Sequence, residues 1–319
     1  MTVDREPIWQ GRNDNEEMPF AYRWHHRVIG KVDAEKVDLQ SRLGLLGFCC
    51  DVGVQRNQGR PGAASGPIFF RDQMRNVPCH DDSTYLIDYG NVTADTGDLE
   101  NSQIELANAV SDALVDVKRL LVVGGGHETA YGSFMGLRAY LGEEARIGII
   151  NLDAHFDLRK VGPAGPSSGT PFYQIHDLVG ADNFHYFCLG VAEESNVASL
   201  FRRAEEWGVQ YMTDHDIEQA SPDKIKAALT QFAKPLDALY LTLDLDVLPH
   251  YQMPGVSAPA VRGVTLQAIE MIIDQVRDIQ KNCKFGLPLV EITELNPSFD
   301  PQGVSARTAA VLANRMLKD

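Results

Sequence analysis

The chain alternates between short apolar runs and longer amphipathic segments. Eight runs have the length of a β-strand, and most place apolar residues at both odd and even positions, as strands buried on both faces of a sheet do. The segments between them have the helical period of apolar residues and suit crossover helices. The predicted strands are residues 43–50, 84–88, 120–124, 146–152, 186–190, 209–213, 239–245 and 287–292.

Strands that alternate with helices predict an α/β architecture with a mainly parallel sheet, either open or closed as a barrel. No internal repeat, low-complexity tract or long linker divides the chain, so we expect a single domain over residues 1–319, with residues 1–35 as an N-terminal extension. Two loops rich in glycine and proline, at 53–67 and 161–171, are expected to form the walls of an active site. The clearest predicted helices are 101–118, 129–141, 198–207, 222–233, 266–281 and 304–317.

Composition excludes several classes of partner. The formal net charge of −15 argues against a groove for nucleic acid or a surface for anionic membranes, because both need clustered Lys and Arg. No run approaches the roughly 20 apolar residues of a membrane helix, and we expect a cytoplasmic protein. The five cysteines have no CxxC spacing and are expected to be reduced core residues.

Three predicted strands end in side chains that bind metal ions. The fourth is followed by Asp153, His155 and Asp157, which alternate along the chain and share one face while the backbone is extended. The seventh ends in Asp-Leu-Asp, and the third leads into Gly-Gly-Gly-His. Parallel sheets hold their sites at these carboxyl ends. The candidate ligands are His127, Asp153, His155, Asp157, Asp244 and Asp246.

Four aspartates and two histidines without a thiolate favour a hard divalent ion such as Mn²⁺ over structural zinc. Six ligands are too many for one open catalytic ion, but they suit two ions that share carboxylates and ionise a water between them. Taken singly, each element has a simpler explanation. A strand-end Asp often caps a helix, His127 could be a solvated loop residue, and the glycines before it could cradle a phosphate. Their joint occurrence after three apolar strands favours the metal centre.

These motifs resemble those of the ureohydrolase family, which includes arginases, agmatinases and formimidoylglutamases. The resemblance covers nearly the whole chain. It rests on Gly-Gly-Gly-His at 124–127, Asp-Ala-His-Phe-Asp at 153–157 and Thr-Leu-Asp-Leu-Asp-Val at 242–247, with further similarity at 59–67 and in Glu-Leu-Asn-Pro at 294–297. It implies the arginase fold, a three-layer αβα sandwich whose mainly parallel sheet has eight strands by our count, and two Mn²⁺ per chain.

The resemblance also implies individual roles. Asp153 and Asp244 would bridge the two ions, with His127 and Asp157 completing one site and His155 and Asp246 the other. Asp157 would also carry a proton, and Glu294 would sit beside the amidine carbon, where a carboxylate can accept paired N–H groups. The alternative for Glu294 is a turn or cap before Asn296-Pro297.

Two departures indicate the substrate. Many arginases and agmatinases have a His in the loop after the second motif, where this chain has Ser168, and a neutral polar residue where it has Arg159. Both features resemble formimidoylglutamases, and Arg159 could clamp a carboxylate of N-formimidoyl-L-glutamate. A surface ion pair is the alternative for Arg159. The Pro249-His250 pair, where the family has an acid, is a departure without an explanation.

The sequence therefore predicts a binuclear manganese hydrolase that converts N-formimidoyl-L-glutamate to L-glutamate and formamide, with Asp157 and Glu294 catalytic and Arg159 and Ser168 binding substrate. Release of urea from agmatine or a guanidino acid is the nearest alternative. A catalytically silent metal-binding sensor or partner subunit is the alternative of another class. The family resemblance implies a homo-oligomer, and Arg60, Tyr173 and Glu193 are further candidates for the wall of the site.

Overall fold

The computed structural model describes residues 9–17, 21–81, 83–94 and 97–318, and its centre is one β-sheet. Every strand pairing in that sheet is parallel. The strands lie in the order β1-β3-β2-β4-β9-β8-β5-β6-β7. Their bounds are β1 Val28–Ile29, β2 Arg42–Cys49, β3 Tyr85–Thr93, β4 Arg119–Val123, β5 Ile147–Leu152, β6 His185–Val191, β7 Gln210–Thr213, β8 Ala238–Asp244 and β9 Leu289–Thr293.

Eleven α-helices connect these strands within the described residues. The six predicted helices are confirmed to within a few residues at each end, as expected when terminal turns fray. The helices are α1 Lys31–Ala34, α2 Val52–Arg56, α3 Gly66–Met74, α4 Leu99–Asp116, α5 Thr129–Leu141, α6 Pro171–Val179, α7 Ala198–Glu206, α8 Asp214–Gln219, α9 Pro222–Ala233, α10 Leu266–Ile279 and α11 Val304–Met316.

The predicted strand count of eight was wrong by one. The additional strand, β1, pairs with β3 at the edge of the sheet. Its two residues, Val28 and Ile29, are too few for an apolar pattern to reveal, and they lie in the segment predicted as an N-terminal extension. That part of the segment therefore belongs to the sheet. The predicted loop at 53–67 was also too long, because α2 and the first residues of α3 occupy much of it.

Helices cover both faces of the sheet and create two hydrophobic cores. Alternate strand residues point to opposite faces, so Leu121 and Val123 of β4 enter one core while Leu120 and Val122 enter the other. The first core includes side chains of α3 and α8 to α11, and the second includes side chains of α4 to α7. This arrangement is the predicted three-layer αβα sandwich.

One buried ion pair ties α3 to β3. Arg71 donates from Nε to Oδ2 of Asp88 over 2.9 Å and from Nη2 to Oδ1 over 2.8 Å. Trp9 donates to the same carboxylate over 2.8 Å. Both charged side chains are almost completely buried. The pair therefore anchors the N-terminal part of the described chain to the sheet.

Strand order brings the predicted ligands together. β4, β9, β8 and β5 are neighbours in the middle of the sheet. Because all four strands run in the same direction, the segments that follow them meet at one edge. Asp244, the last residue of β8, and the segments after the four strands supply every candidate ligand and Glu294. The strand order thus collects residues separated by up to 167 positions.

Candidate metal centre

The six predicted ligands form two adjoining groups at this edge. Asp153, Asp157, Asp244 and His127 offer ligand atoms that lie within 4.8 Å of one another. Asp153, His155 and Asp246 form the second group by the same measure. We call the first set the deep group and the second set the outer group. They share Asp153, so the structure brings the predicted ligands together as two sites with a common carboxylate.

His127 is the centre of the deep group. Its Nδ1 lies 3.1 Å from Oδ2 of Asp153, 3.0 Å from Oδ2 of Asp157 and 3.1 Å from Oδ2 of Asp244. This nitrogen is buried, and none of the described residues forms a properly directed hydrogen bond with it. One nitrogen facing three carboxylate oxygens is the donor set of a divalent cation that prefers oxygen with some imidazole. The residues therefore fit the predicted cation.

The outer group lies nearer to solvent. His155 Nδ1 is 3.1 Å from Oδ2 of Asp246 and 3.5 Å from Oδ1 of Asp153. Oδ1 of Asp246 is buried and accepts no hydrogen bond from any residue that the structure describes. Asp244, predicted to bridge, contributes to the deep group, and its Oδ1 accepts the backbone N–H of Asp246 over 2.9 Å. Its bridging role stays a prediction.

Carboxylates packed this closely change one another's protonation. Burial and then the charge of Asp153 raise the pKa of Asp157 to about 6. Burial lowers the pKa of His127, but the carboxylates of Asp153, Asp157 and Asp244, 3.0 to 3.1 Å from its Nδ1, outweigh it and raise that pKa well above its usual value. The cluster thus attracts positive charge strongly, and divalent cations would replace the protons that it holds.

Two site residues have backbone conformations that L-residues rarely adopt. Asp157 has φ of 48° and Glu294 has φ of 65°. Such left-handed conformations store strain and cluster at functional sites. Glu294 is held by accepting the backbone N–H of His127 at Oε1 over 3.0 Å, while Oε2 is buried and has no hydrogen-bond partner among the described residues. Burial and then the charge of Asp244 raise the pKa of Glu294 well above its usual value.

A cavity of about 520 Å³ opens over the two groups. Both predicted substrate-binding residues, Arg159 and Ser168, line it together with Glu294. Ser168 accepts a hydrogen bond from Asn57 over 3.2 Å. Arg159 is exposed at the rim and makes no ion pair with any described residue. The surface-pair alternative for Arg159 therefore has no partner in the described parts of the chain.

The three other wall candidates are placed differently. Arg60 lines the cavity, but its guanidinium donates to the carbonyls of Val256 and Ser257 and lies 3.9 Å from the centre of the Phe299 ring. Tyr173 packs against Trp207 outside the described cavity lining, and Glu193 is likewise absent from that lining. Arg60 is thus a structural clamp between two loops.

Sequence reasoning missed several wall residues. Asn57 and Gln58 line one side, and Ser195 and Asn196 line another. Gln58 has φ of 63°, which makes it the third strained wall position after Asp157 and Glu294, and composition does not reveal it. Only the richness of the 53–67 segment in glycine and proline indicated this wall. Polar loop residues without a motif give no individual signal.

Arg203 is a further residue that the sequence did not single out. It lies on α7, where Nη1 donates to the carbonyl oxygen of Leu158 over 2.5 Å. The next residue, Arg159, donates its backbone N–H to Gly169 over 2.8 Å. These two bonds hold the short segment between Asp157, a candidate metal ligand, and Arg159, which lines the cavity.

Residues 41–318 match the model of the arginase family. The chain belongs to the arginase family. A formimidoylglutamase of Aeromonas salmonicida is 44% identical over 314 residues, covering 98% of this chain and 97% of the relative. A formimidoylglutamase of Salmonella newport is 44% identical over 308 residues, covering 96% of this chain and 94% of the relative. The predicted ureohydrolase resemblance is confirmed.

Solved structures of arginase-family proteins have the same fold. A formimidoylglutamase from Bacillus subtilis superposes with a TM-score of 0.81 at 20% identity, covering 97% of this chain and 93% of its own. A Trypanosoma cruzi formiminoglutamase with Mn²⁺ superposes with a TM-score of 0.75 at 24% identity, covering 89% and 93%. Within the described residues, no helix is long and apolar enough to cross a membrane.

Proposed function

We propose that this arginase-family hydrolase converts N-formimidoyl-L-glutamate and water to L-glutamate and formamide, with two Mn²⁺ per chain. The observation that carries the proposal is the meeting of three features in one cavity. Candidate ligands of both groups, Asp157 and Asp246 among them, line the cavity. Glu294 faces the same space, and Arg159 lies at the rim without an ion pair to any described residue. The curated relatives at 44% identity are formimidoylglutamases, which supports this substrate.

The cations, when bound, would supply a nucleophilic hydroxide near neutral pH by lowering the pKa of a water. The chain's own residues supply orientation and proton transfer. Oε2 of Glu294 has no hydrogen-bond partner among the described residues and can accept an N–H of the planar formimidoyl group. That contact would present the formimidoyl carbon to the nucleophile in a fixed orientation.

Cleavage of the bond between the formimidoyl carbon and the glutamate nitrogen requires a proton on that nitrogen. Asp157 lines the cavity. A carboxyl group at this position can take a proton from the added water and return it to the leaving nitrogen. The products are then glutamate with a free amino group and formamide, so one water is consumed for each substrate.

The carboxylates of the substrate match the rim. Arg159 lines the cavity with Ser168 and has no ion pair with a described residue, and a guanidinium binds a carboxylate through two parallel hydrogen bonds. The small amine agmatine has no carboxylate for this contact. A guanidino acid does have one, so Arg159 favours acidic substrates without choosing between an amidine and a guanidine.

The deciding experiment is a turnover assay of the Mn²⁺-loaded chain on N-formimidoyl-L-glutamate, arginine, agmatine and guanidinobutyrate. Glutamate and formamide without urea are the expected products. If urea is released from a guanidino acid, the proposed metal centre is supported but the proposed substrate is wrong. Two bound metal ions without turnover of any compound would instead favour the metal-binding sensor or partner subunit.

Assembly and location stay predictions. A homo-oligomer is expected from the family resemblance, and analytical ultracentrifugation of the full chain measures it. A cytoplasmic location is expected from the sequence and is tested by fractionation of cells that express the chain.

A further inference from the structure

A carboxylate with no exposed surface lies directly behind the deep group. Glu291, in the middle of β9, has an exposed fraction of 0%. Its hydrogen-bond donors among the described residues are three hydroxyl groups, those of Ser133, Tyr240 and Thr242. A buried carboxylate without a cation costs free energy that hydroxyl donors only partly offset. The cost of burying Glu291 beside a candidate metal centre suggests that this carboxylate has a specific role there.

Thr242 connects this carboxylate to the metal-facing histidine. Its hydroxyl oxygen lies 3.0 Å from Oε1 of Glu291 and 3.1 Å from Nε2 of His127. Two oxygens 3.0 Å apart need a hydrogen between them, and an ionised Glu291 has none to offer. Thr242 therefore donates its only hydrogen to Glu291, and its lone pair accepts the proton on Nε2 of His127.

We propose that Glu291, acting through Thr242, holds His127 in the tautomer that has its proton on Nε2 and leaves the Nδ1 lone pair for a cation in the deep group. Both are positioning residues, since neither touches the cavity. This inference deepens the proposed function and rests on it. It concerns the deep group alone, because Thr242 contacts His127, which is a member of that group only.

The electrostatics of the deep group make such a device necessary. Nδ1 faces three carboxylate oxygens at 3.0 to 3.1 Å. With no acceptor at Nε2, the proton of a neutral imidazole would move to Nδ1, where those oxygens attract it. A proton there would occupy the position that the cation needs. An acceptor behind the ring opposes this and also raises the basicity of the ligating nitrogen.

Glu291 could instead serve only to join elements, since its partners lie on α5 and β8. Two variants separate these roles, because each removes one of the hydroxyl groups that donate a hydrogen bond to Glu291. Thr242→Val is nearly isosteric and breaks the link to His127. Ser133→Ala removes the donor to the other oxygen, Oε2, and leaves that link intact. Thr242→Ser restores the hydroxyl, and Thr242→Ala paired with Thr242→Ser repeats the comparison if the valine variant does not fold.

The experiment titrates metal-free full-length chains with Mn²⁺ by calorimetry and records ¹⁵N-histidine spectra of the Zn²⁺-loaded chains. In Thr242→Val we expect the affinity of one of two sites to fall about 10–100-fold, the other to change little, and the Nε2–H signal of His127 to be lost or to exchange faster. Thr242→Ser should recover both the Mn²⁺ affinity and the Nε2–H signal. In Ser133→Ala the Mn²⁺ affinity should fall by less than threefold.

Two results would overturn the proposed role of Glu291 and Thr242. One is an equal loss of Mn²⁺ affinity in Thr242→Val and Ser133→Ala, and the other is an unchanged Nε2–H signal with unchanged Mn²⁺ affinity in Thr242→Val. Failure of the proposed function is distinguishable from this. In that case the unmodified chain itself would not bind two ions, or would bind them without producing glutamate and formamide.

Discussion

Nη1 of Arg203 lies 2.5 Å from the carbonyl oxygen of Leu158, so one guanidinium on α7 holds the peptide between Asp157 and Arg159. The side chain also lies over the ring of Tyr173, 5.4 Å from its centre. Hydrogen bonds to charged donors contribute about 1.5–3 kcal/mol. Arg203 is therefore expected to matter to the site although it does not line the cavity.

Arg203→Met removes this bond. Because Arg159 then loses its fixed position, we expect KM for N-formimidoyl-L-glutamate to rise about tenfold or more, with a smaller change in kcat. Steady-state kinetics measure both. Arg202→Met is the matched control, since it removes the same charge from an exposed neighbouring position. Equal kinetic effects in the two variants would show that Arg203 acts only through charge or helix stability.

Asp153 belongs to both ligand groups, whereas Asp246 belongs to the outer group alone. Asp153→Asn is therefore expected to weaken both sites and Asp246→Asn one of them. After dialysis, elemental analysis should find about two Mn²⁺ per unmodified chain, about half as many in Asp246→Asn and almost none in Asp153→Asn. Activity should fall by more than about 100-fold in both variants, beyond the usual loss for an outer partner. Full metal content in Asp153→Asn would contradict the shared site.

Arg159 is proposed to bind a substrate carboxylate. For Arg159→Met we expect KM to rise about 10–100-fold, as the loss of a charge-assisted hydrogen bond predicts, while kcat changes little. A formimidoyl amine without carboxylates should be hydrolysed equally by both proteins, which isolates the carboxylate contact. Lys160→Met controls for the loss of one exposed positive charge beside the cavity. A KM rise of the same size for the amine substrate would argue against the clamp.

The Arg71–Asp88 pair is expected to stabilise the fold. Burial raises the pKa of Asp88, but the charge and hydrogen bonds of Arg71 outweigh it and hold the pKa below its usual value. Asp88→Asn leaves Arg71 buried and uncompensated, which costs about 3–5 kcal/mol in the free energy of unfolding. Asp72→Asn, at a half-exposed pair with Arg75, should cost about 1 kcal/mol or less.

The contribution of Asp88 depends on pH in a defined direction. A carboxyl group whose pKa is lower in the folded chain stabilises it fully above the unfolded-state value of about 3.9. This stabilisation is lost as pH falls through the folded-state pKa. Urea unfolding of the unmodified chain and of Asp88→Asn should therefore show a difference that is constant near neutral pH and shrinks in acid. A difference that grows in acid would contradict this assignment.

The apolar pattern and the motifs were enough to predict the α/β class, six of the helices, eight of the nine strands in the described residues and all six candidate ligands. Apolar runs in this chain are long and clearly bounded, so their period shows which segments are buried. The ligands could be recognised because they follow three strands directly, and parallel strands place their carboxyl ends at one edge. The motif at 153–157 needed no tertiary information, since alternation along an extended segment already puts its side chains on one face.

The packing of separate elements in the folded chain settles which side chains meet across the sheet. It placed Asp153 in both ligand groups, put Arg159 and Ser168 on one rim, and turned Arg60 into a clamp while Tyr173 packed elsewhere. The same holds for the contacts of Thr242 with His127 and of Arg203 with Leu158. These contacts join residues 45 to 115 positions apart through strand order and helix packing. A local pattern of apolar and polar residues cannot predict contacts between such distant positions, because these contacts form only when separate elements pack together.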